Sequence, residues 1–160
     1  MRTHTNTAQD TEDFGWQLAC ARASGDAALA VIYLSGELGA GKTTFARGFA
    51  RALGVASPVR SPTYTLLELY PAGPLTVVHL DLYRLEAPSE LDSLGLREWA
   101  TDGHVWLIEW PERGVGRLPA ADLTVAFAAG PVGHDVEATP GSALGRSWLF
   151  QLTGSAPSAG

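Results

Sequence analysis

Apolar residues along this chain change their spacing several times, and each spacing predicts an element. Phe14, Leu18 and Ala21 recur at helical intervals behind Asp10-Thr11-Glu12-Asp13. Acids are favoured at the positive end of a helix, so a helix is predicted over 11–24. Residues 27–35 are apolar as far as Leu34, the pattern of a strand buried on both faces of a parallel sheet. Helical spacing returns over 43–53 and stops at Gly54. Strands are predicted over 63–70 and 75–83, on either side of the turn sequence "PAGP". A helix over 90–100 would carry Leu91, Leu94 and Trp99 on its apolar side, and 104–109 reads as another buried strand. Residues 122–127 and 134–139 read as a hairpin, and 142–152 fits helix or strand, with helix preferred. The ends, 1–10 and 154–160, are small and polar and are expected to fray. Strands that alternate with helices and finish in a hairpin predict a single α/β domain: a mostly parallel sheet flanked by helices, with an antiparallel C-terminal hairpin.

Composition narrows the function classes. The net charge is -6, which argues against a large nucleic-acid footprint, because such binding rests on basic patches. The one cysteine, Cys20, has no partner for an internal disulfide and is expected to be a buried packing thiol in the first helix. There is no apolar leader and no run long enough to span a bilayer, so a cytoplasmic protein is expected.

The strongest chemistry lies in Gly36-Glu37-Leu38-Gly39-Ala40-Gly41-Lys42-Thr43, which fits G-x-x-x-x-G-K-[ST] between a buried strand and a helix. Glycines let the backbone N–H groups of Glu37, Leu38, Gly39, Ala40, Gly41 and the following residues surround phosphates. The helix behind them presents its positive end to the same anion. Thr43 would place a hydroxyl on Mg²⁺. Lys42 is the only lysine in the chain; the other ten basic side chains are arginines. A compact ammonium on a flexible stem can reach the β- and γ-phosphates where a planar guanidinium fork does not substitute. A P-loop nucleotide site follows, though this loop serves ATPases, GTPases and kinases alike. The guanine-selecting Asn-Lys-x-Asp element is absent, since the only asparagine is Asn6, so ATP is favoured. Arg113 and Arg117 in "PERGVGRLP" are the only candidates for a kinase-like lid.

Three more stretches carry candidate site residues. Glu109 ends the buried strand of "HVWLIEWPE", the expected place for an acid that works with Mg²⁺; a solvated acid capping a strand is the alternative. Asp81 in "VVHLDLYRL" stands among apolar neighbours and is either functional or paired structurally with Arg84. Thr63 in "RSPTYTLLE" follows the loop at the distance of a nucleotide-sensing switch, or belongs to an ordinary Ser-Pro turn. No arginine finger is evident beside the loop, so charge supplied in trans is expected.

Together, "GELGAGKTTFARGF", "SPTYTL", "HLDLYRL" followed by "SELDSLGLREW", and "IEWPERGVGRLP" resemble the bacterial TsaE (YjeE) family of tRNA threonylcarbamoyladenosine biosynthesis ATPases, over roughly 11–152. The resemblance implies a small ATPase that uses ATP and Mg²⁺ and acts with two proteins, TsaD and TsaB. TsaD transfers the threonylcarbamoyl group to adenosine 37 of tRNAs reading ANN codons, and ATP hydrolysis resets the TsaD–TsaB complex. Contact with tRNA would be indirect. Carried over, Gly39, Gly41, Lys42, Thr43 and Thr44 bind phosphate and Mg²⁺, and Glu109 is the Mg²⁺-linked acid. Asp81 resembles an acid beside the γ-phosphate that orients or deprotonates the attacking water. Thr63 resembles a switch residue, Trp110 a ring near the nucleotide and partner surface, and Thr11 a threonine near the adenine. One departure stands out: Gly133-His134-Asp135 occupies a place where relatives usually have Gly-Arg. A nucleotide-gated binding module with little hydrolysis and a small-molecule kinase remain as alternatives.

Overall fold

The computed structural model describes residues 1–22 and 26–154 of the 160. Strands Arg2–Thr5 (β1), Ala30–Gly36 (β2), Leu67–Ala72 (β3), Leu75–Asp81 (β4), His104–Glu109 (β5), Leu123–Ala129 (β6) and His134–Pro140 (β7) join in the order β1-β7-β6-β2-β5-β4-β3. The central four, β6-β2-β5-β4, run parallel. The hairpin β6–β7 and the edge strands β1 and β3 add antiparallel pairs. β2 is hydrogen-bonded on both sides and covered on both faces, which is why its sequence is an unbroken apolar run.

Helices Ala8–Cys20 (α1), Lys42–Ala52 (α2) and Ala143–Thr153 (α3) cover one face. There Phe14, Leu18, Phe45, Phe49 and Trp148 pack with Ile32, Leu34 and Leu107. Burying a side chain of this size contributes roughly 1.5–3 kcal/mol. The opposite face is closed by short 3₁₀ turns, Pro88–Leu94 and Leu96–Trp99, whose Leu91 and Leu96 pack on Val78, Leu80, Trp106 and Ile108. Side chains alternate along a strand. Val77 of β4 and Val105 and Leu107 of β5 belong to the helix-side core, so His79, Asp81 and Glu109 share that face. It is the face on which α2 and the glycine loop sit.

Several expectations are corrected. Residues 2–5 do not fray. They form β1 on the edge of β7, and Thr7 then caps α1: its hydroxyl accepts from the Asp10 N–H at 3.1 Å, while the Asp10 carboxylate accepts from the Thr7 N–H at 3.0 Å. The helix therefore begins three residues earlier than hydrophobic spacing indicated, and it ends at Cys20. Cys20 is exposed rather than buried, because Leu18 and Ala19 take the inward positions of the last turn. The helix predicted over 90–100 is two 3₁₀ turns separated at Gly95. The strand predicted from 63 starts only at Leu67. Before it, the chain turns, with the Leu66 N–H donating to the Pro62 carbonyl at 2.7 Å and Leu66 at φ 63°. The ambiguous segment 142–152 is helical, capped by the Ser142 hydroxyl, which accepts from the Gly145 N–H at 3.1 Å. The predicted helix end at 23–24 and the tail 155–160 lie outside the described residues.

Candidate nucleotide site

β2 delivers the chain into the glycine loop at the C-terminal end of the parallel strands, where open α/β sheets place their ligands. Gly39 and Gly41 lie at φ 79° and 98°, a conformation that a side chain would strain. Gly41 also starts α2, so the N–H groups of Lys42, Thr43 and Thr44 have no acceptor within the helix. These three residues line a cavity of about 490 Å³ with Gly39, Gly41 and Leu38 on the loop side. Ser61, Thr63, Asp81, Tyr83, Arg84, Glu109 and Trp110 line it as well.

Lys42 is almost wholly buried. Its Nζ donates to the Gly36 and Glu37 carbonyls at 2.7 Å each and lies 4.2 Å from the centroid of the Trp110 ring. Burial pushes its pKa below the ordinary lysine value, against the opposing pull of Glu109, Asp81 and Glu112. Trp110 reaches this position from a left-handed backbone, φ 58°, immediately after β5. Its ring also meets Tyr83 at 5.1 Å and the Arg113 guanidinium at 5.7 Å.

The Thr43 hydroxyl donates to the Glu109 carboxylate, 2.9 Å from Oε1 and 3.0 Å from Oε2. His79, completely buried, meets Glu109 Oε1 through Nε2 at 2.9 Å, while its Nδ1 has no hydrogen-bond partner. His79 and Thr43 thus both hold the Glu109 carboxylate through Oε1. Asp81 sits beside Glu109 in register. It does not pair with Arg84. Its Oδ1 accepts from the Tyr83 N–H at 3.0 Å, and its Oδ2 accepts from the Ser61 hydroxyl, with Thr63 Oγ1 at 3.5 Å. Asp81 therefore fastens the Ser61-Pro62-Thr63 turn to the end of β4.

Thr11 does not line the cavity. It is buried under the loop, where a Cβ on Gly41 would come 3.2 Å from its Cγ2, and its hydroxyl donates to Thr5 Oγ1 at 3.0 Å. Thr5 in turn donates to the His134 carbonyl at 3.4 Å, so the departure at His134 joins the loop's support through backbone rather than side chain. Of the two candidate lid arginines, Arg113 stacks beside the cavity on Tyr83 and Trp110, whereas Arg117 pairs with Asp92 on the other side of the sheet. Sequence reasoning missed the parts of His79 and Ser61. The two-residue spacing of His79 and Asp81 on one strand was the available signal for the first.

The model of the family described as threonylcarbamoyl adenosine biosynthesis protein TsaE matches residues 5–134. The tRNA threonylcarbamoyladenosine biosynthesis protein TsaE of Haemophilus influenzae is 47% identical over 95 residues, 59% of this chain and 60% of that protein. The protein of the same name from Treponema pallidum is 37% identical over 127 residues, 79% and 90% of the two chains. That of Streptomyces coelicolor is 36% identical over 142 residues, 85% and 92%. The crystal structure of YdiB from Bacillus subtilis matches at a TM-score of 0.77 and 28% identity, covering 96% of this chain and 93% of that one. Agreement in sequence across residues 5–134, and in shape across nearly the whole chain, means that the chain belongs to the TsaE family.

Proposed function

We propose that this protein binds and hydrolyses ATP with Mg²⁺ and, acting with TsaD and TsaB, supports threonylcarbamoylation of adenosine 37 in tRNAs that read ANN codons. The observation that carries this reading is the convergence of Lys42, Thr43, Asp81 and Glu109 on one cavity at the end of the parallel strands. The loop N–H groups and Lys42 would bind the β- and γ-phosphates. Thr43 and Glu109 offer hard oxygen donors side by side. No group of three or more His, Cys, Asp or Glu able to hold a metal occurs among the described residues. That donor set suits Mg²⁺, which is usually held by one or two protein oxygens with phosphate and water completing its shell. When bound, the ion would neutralise phosphate charge. Asp81, held by Ser61 and the Tyr83 N–H, would orient the attacking water.

The acidic chain would dock on a protein that holds tRNA rather than hold tRNA itself. No helix among the described residues is long and apolar enough to cross a membrane, and a cytoplasmic location accords with tRNA modification. The test is phosphate release under steady-state conditions with Mg²⁺, with and without TsaD–TsaB. Slow release alone and faster release with the partners is expected. Nucleotide-dependent partner binding without release would indicate a gated binding module instead, and phosphate appearing on a small acceptor would indicate a kinase.

A further inference from the structure

Lys42 and Arg84 are the cationic side chains on the cavity wall among the described residues. Their situations differ. Lys42 is buried and donates to two carbonyls. Arg84 is exposed, three residues beyond Asp81, and its guanidinium lies over the Tyr64 ring, 4.6 Å from the centroid. Among the described residues, neither a carboxylate nor a carbonyl meets it, whereas Arg113 contacts the Leu85 carbonyl and Arg117 pairs with Asp92. Tyr64 is itself 85% exposed, on the turn that Ser61 and Thr63 fasten to Asp81. The cavity therefore carries a guanidinium beside the acid proposed to orient water, resting on a solvent-facing ring. A surface cation–π contact is weak beside a charge-assisted bond to a phosphoryl oxygen, so the ring is a platform that Arg84 can leave.

We propose that Arg84 is a catalytic residue, an arginine supplied in cis that bonds to the γ-phosphoryl oxygens as ATP is hydrolysed. This rests on the ATPase reading above. In the step, a water oxygen bonds to the γ-phosphorus as the bond from that phosphorus to the β–γ bridging oxygen breaks. The bonding pair leaves with ADP, and the proton lost by the water passes by way of Asp81 to solvent. Negative charge spreads over the γ-phosphoryl oxygens and the bridging oxygen meanwhile. Lys42 and Mg²⁺ would meet it from the loop side, and Arg84 from the side of Asp81. A guanidinium in this role is worth roughly a thousandfold or more in turnover.

Three full-length proteins decide it: wild type, Arg84→Ala and Tyr64→Ala, each measured for ATP affinity by calorimetry and for single-turnover hydrolysis with Mg²⁺. Arg84→Ala should bind ATP within about threefold of wild type and lose roughly a thousandfold in rate, the split of a contact made only in the transition state. Added guanidinium ion should restore part of that rate. It should also bind ADP with aluminium fluoride no more tightly than ADP alone, a preference the wild type retains. Tyr64→Ala should keep its rate, since the ring is only where Arg84 rests. If the two variants lose rate equally, Arg84 serves to hold the turn and the proposal falls. Unchanged hydrolysis in Arg84→Ala overturns this inference alone, whereas a wild type that never hydrolyses ATP overturns the ATPase reading with it.

Discussion

Lys42 combines two demands that conflict. In the role proposed for it, its ammonium must stay charged to meet phosphate, yet it is buried, and burial holds its pKa below the usual lysine range. A cation whose folded pKa is depressed subtracts stability while it remains charged. The penalty is present at neutral pH and is relieved as pH climbs through the depressed value toward the ordinary value of 10.5. Lys42→Met should therefore abolish ATP binding in calorimetry and yet raise the denaturation midpoint at pH 7, with the advantage shrinking as pH approaches 10.5. A less stable Lys42→Met protein at pH 7 would mean that the bonds to Gly36 and Glu37 outweigh the cost of burial. The two acids should separate by kinetics. Glu109→Gln should raise the Mg²⁺ concentration needed for half-maximal turnover, because the carboxylate shared with Thr43 and His79 loses its charge. Asp81→Asn should cut turnover and leave ATP affinity near normal. Loss of folding in Asp81→Asn, seen by circular dichroism, would make the fastening of Ser61 and Tyr83 its main task.

Between elements, α1 and α2 approach each other closely through Gly15 and Gly48. A Cβ on Gly48 would lie 1.9 Å from the Glu12 carbonyl oxygen, and one on Gly15 would lie 2.3 Å from the Phe45 carbonyl oxygen. Both clashes are with backbone, which cannot swing aside as a side chain can. Gly48→Ala should cost about 1–3 kcal/mol, read as a fall in the denaturation midpoint, because α1 must move off α2. Thr11 on α1 lies under Gly41, so the same displacement should also weaken ATP binding. Normal affinity in a destabilised Gly48→Ala protein would show that the loop does not depend on α1. The elements that periodicity located well are β2 and β5, whose apolar runs are buried on both faces of the sheet, and α2, whose apolar stripe faces the helix-side core. The first strand and the 3₁₀ turns were misread because local signals were weak and distant partners decided them. Residues 2–5 are polar and become a strand only because β7 offers its edge.

At the scale of the whole molecule, the Trp110 ring contacts both the Lys42 ammonium and the Arg113 guanidinium, which links the candidate site to the 3₁₀ turn Pro111–Gly114. If TsaD–TsaB reads the nucleotide through this ring, Trp110→Ala should spare ATP binding but lose the stimulation of phosphate release by TsaD–TsaB and the support of repeated tRNA modification. Full stimulation of Trp110→Ala would refute that route. The sequence by itself determined the glycine loop with its lysine, the acid at the end of β5 and the parallel core, because each rests on contiguous residues whose chemistry depends on local spacing. The family, too, was readable from four blocks in order. Only the tertiary structure decided what those residues do to one another. It brought Glu109, His79 and Thr43 into one hydrogen-bonded set from three elements, gave Asp81 to Ser61 and Tyr83 rather than to Arg84, and laid Arg84 on Tyr64 at the cavity wall. Those pairings depend on strand register and on a left-handed turn at Leu66, both set by packing among residues far apart in the chain, and no local pattern encodes them.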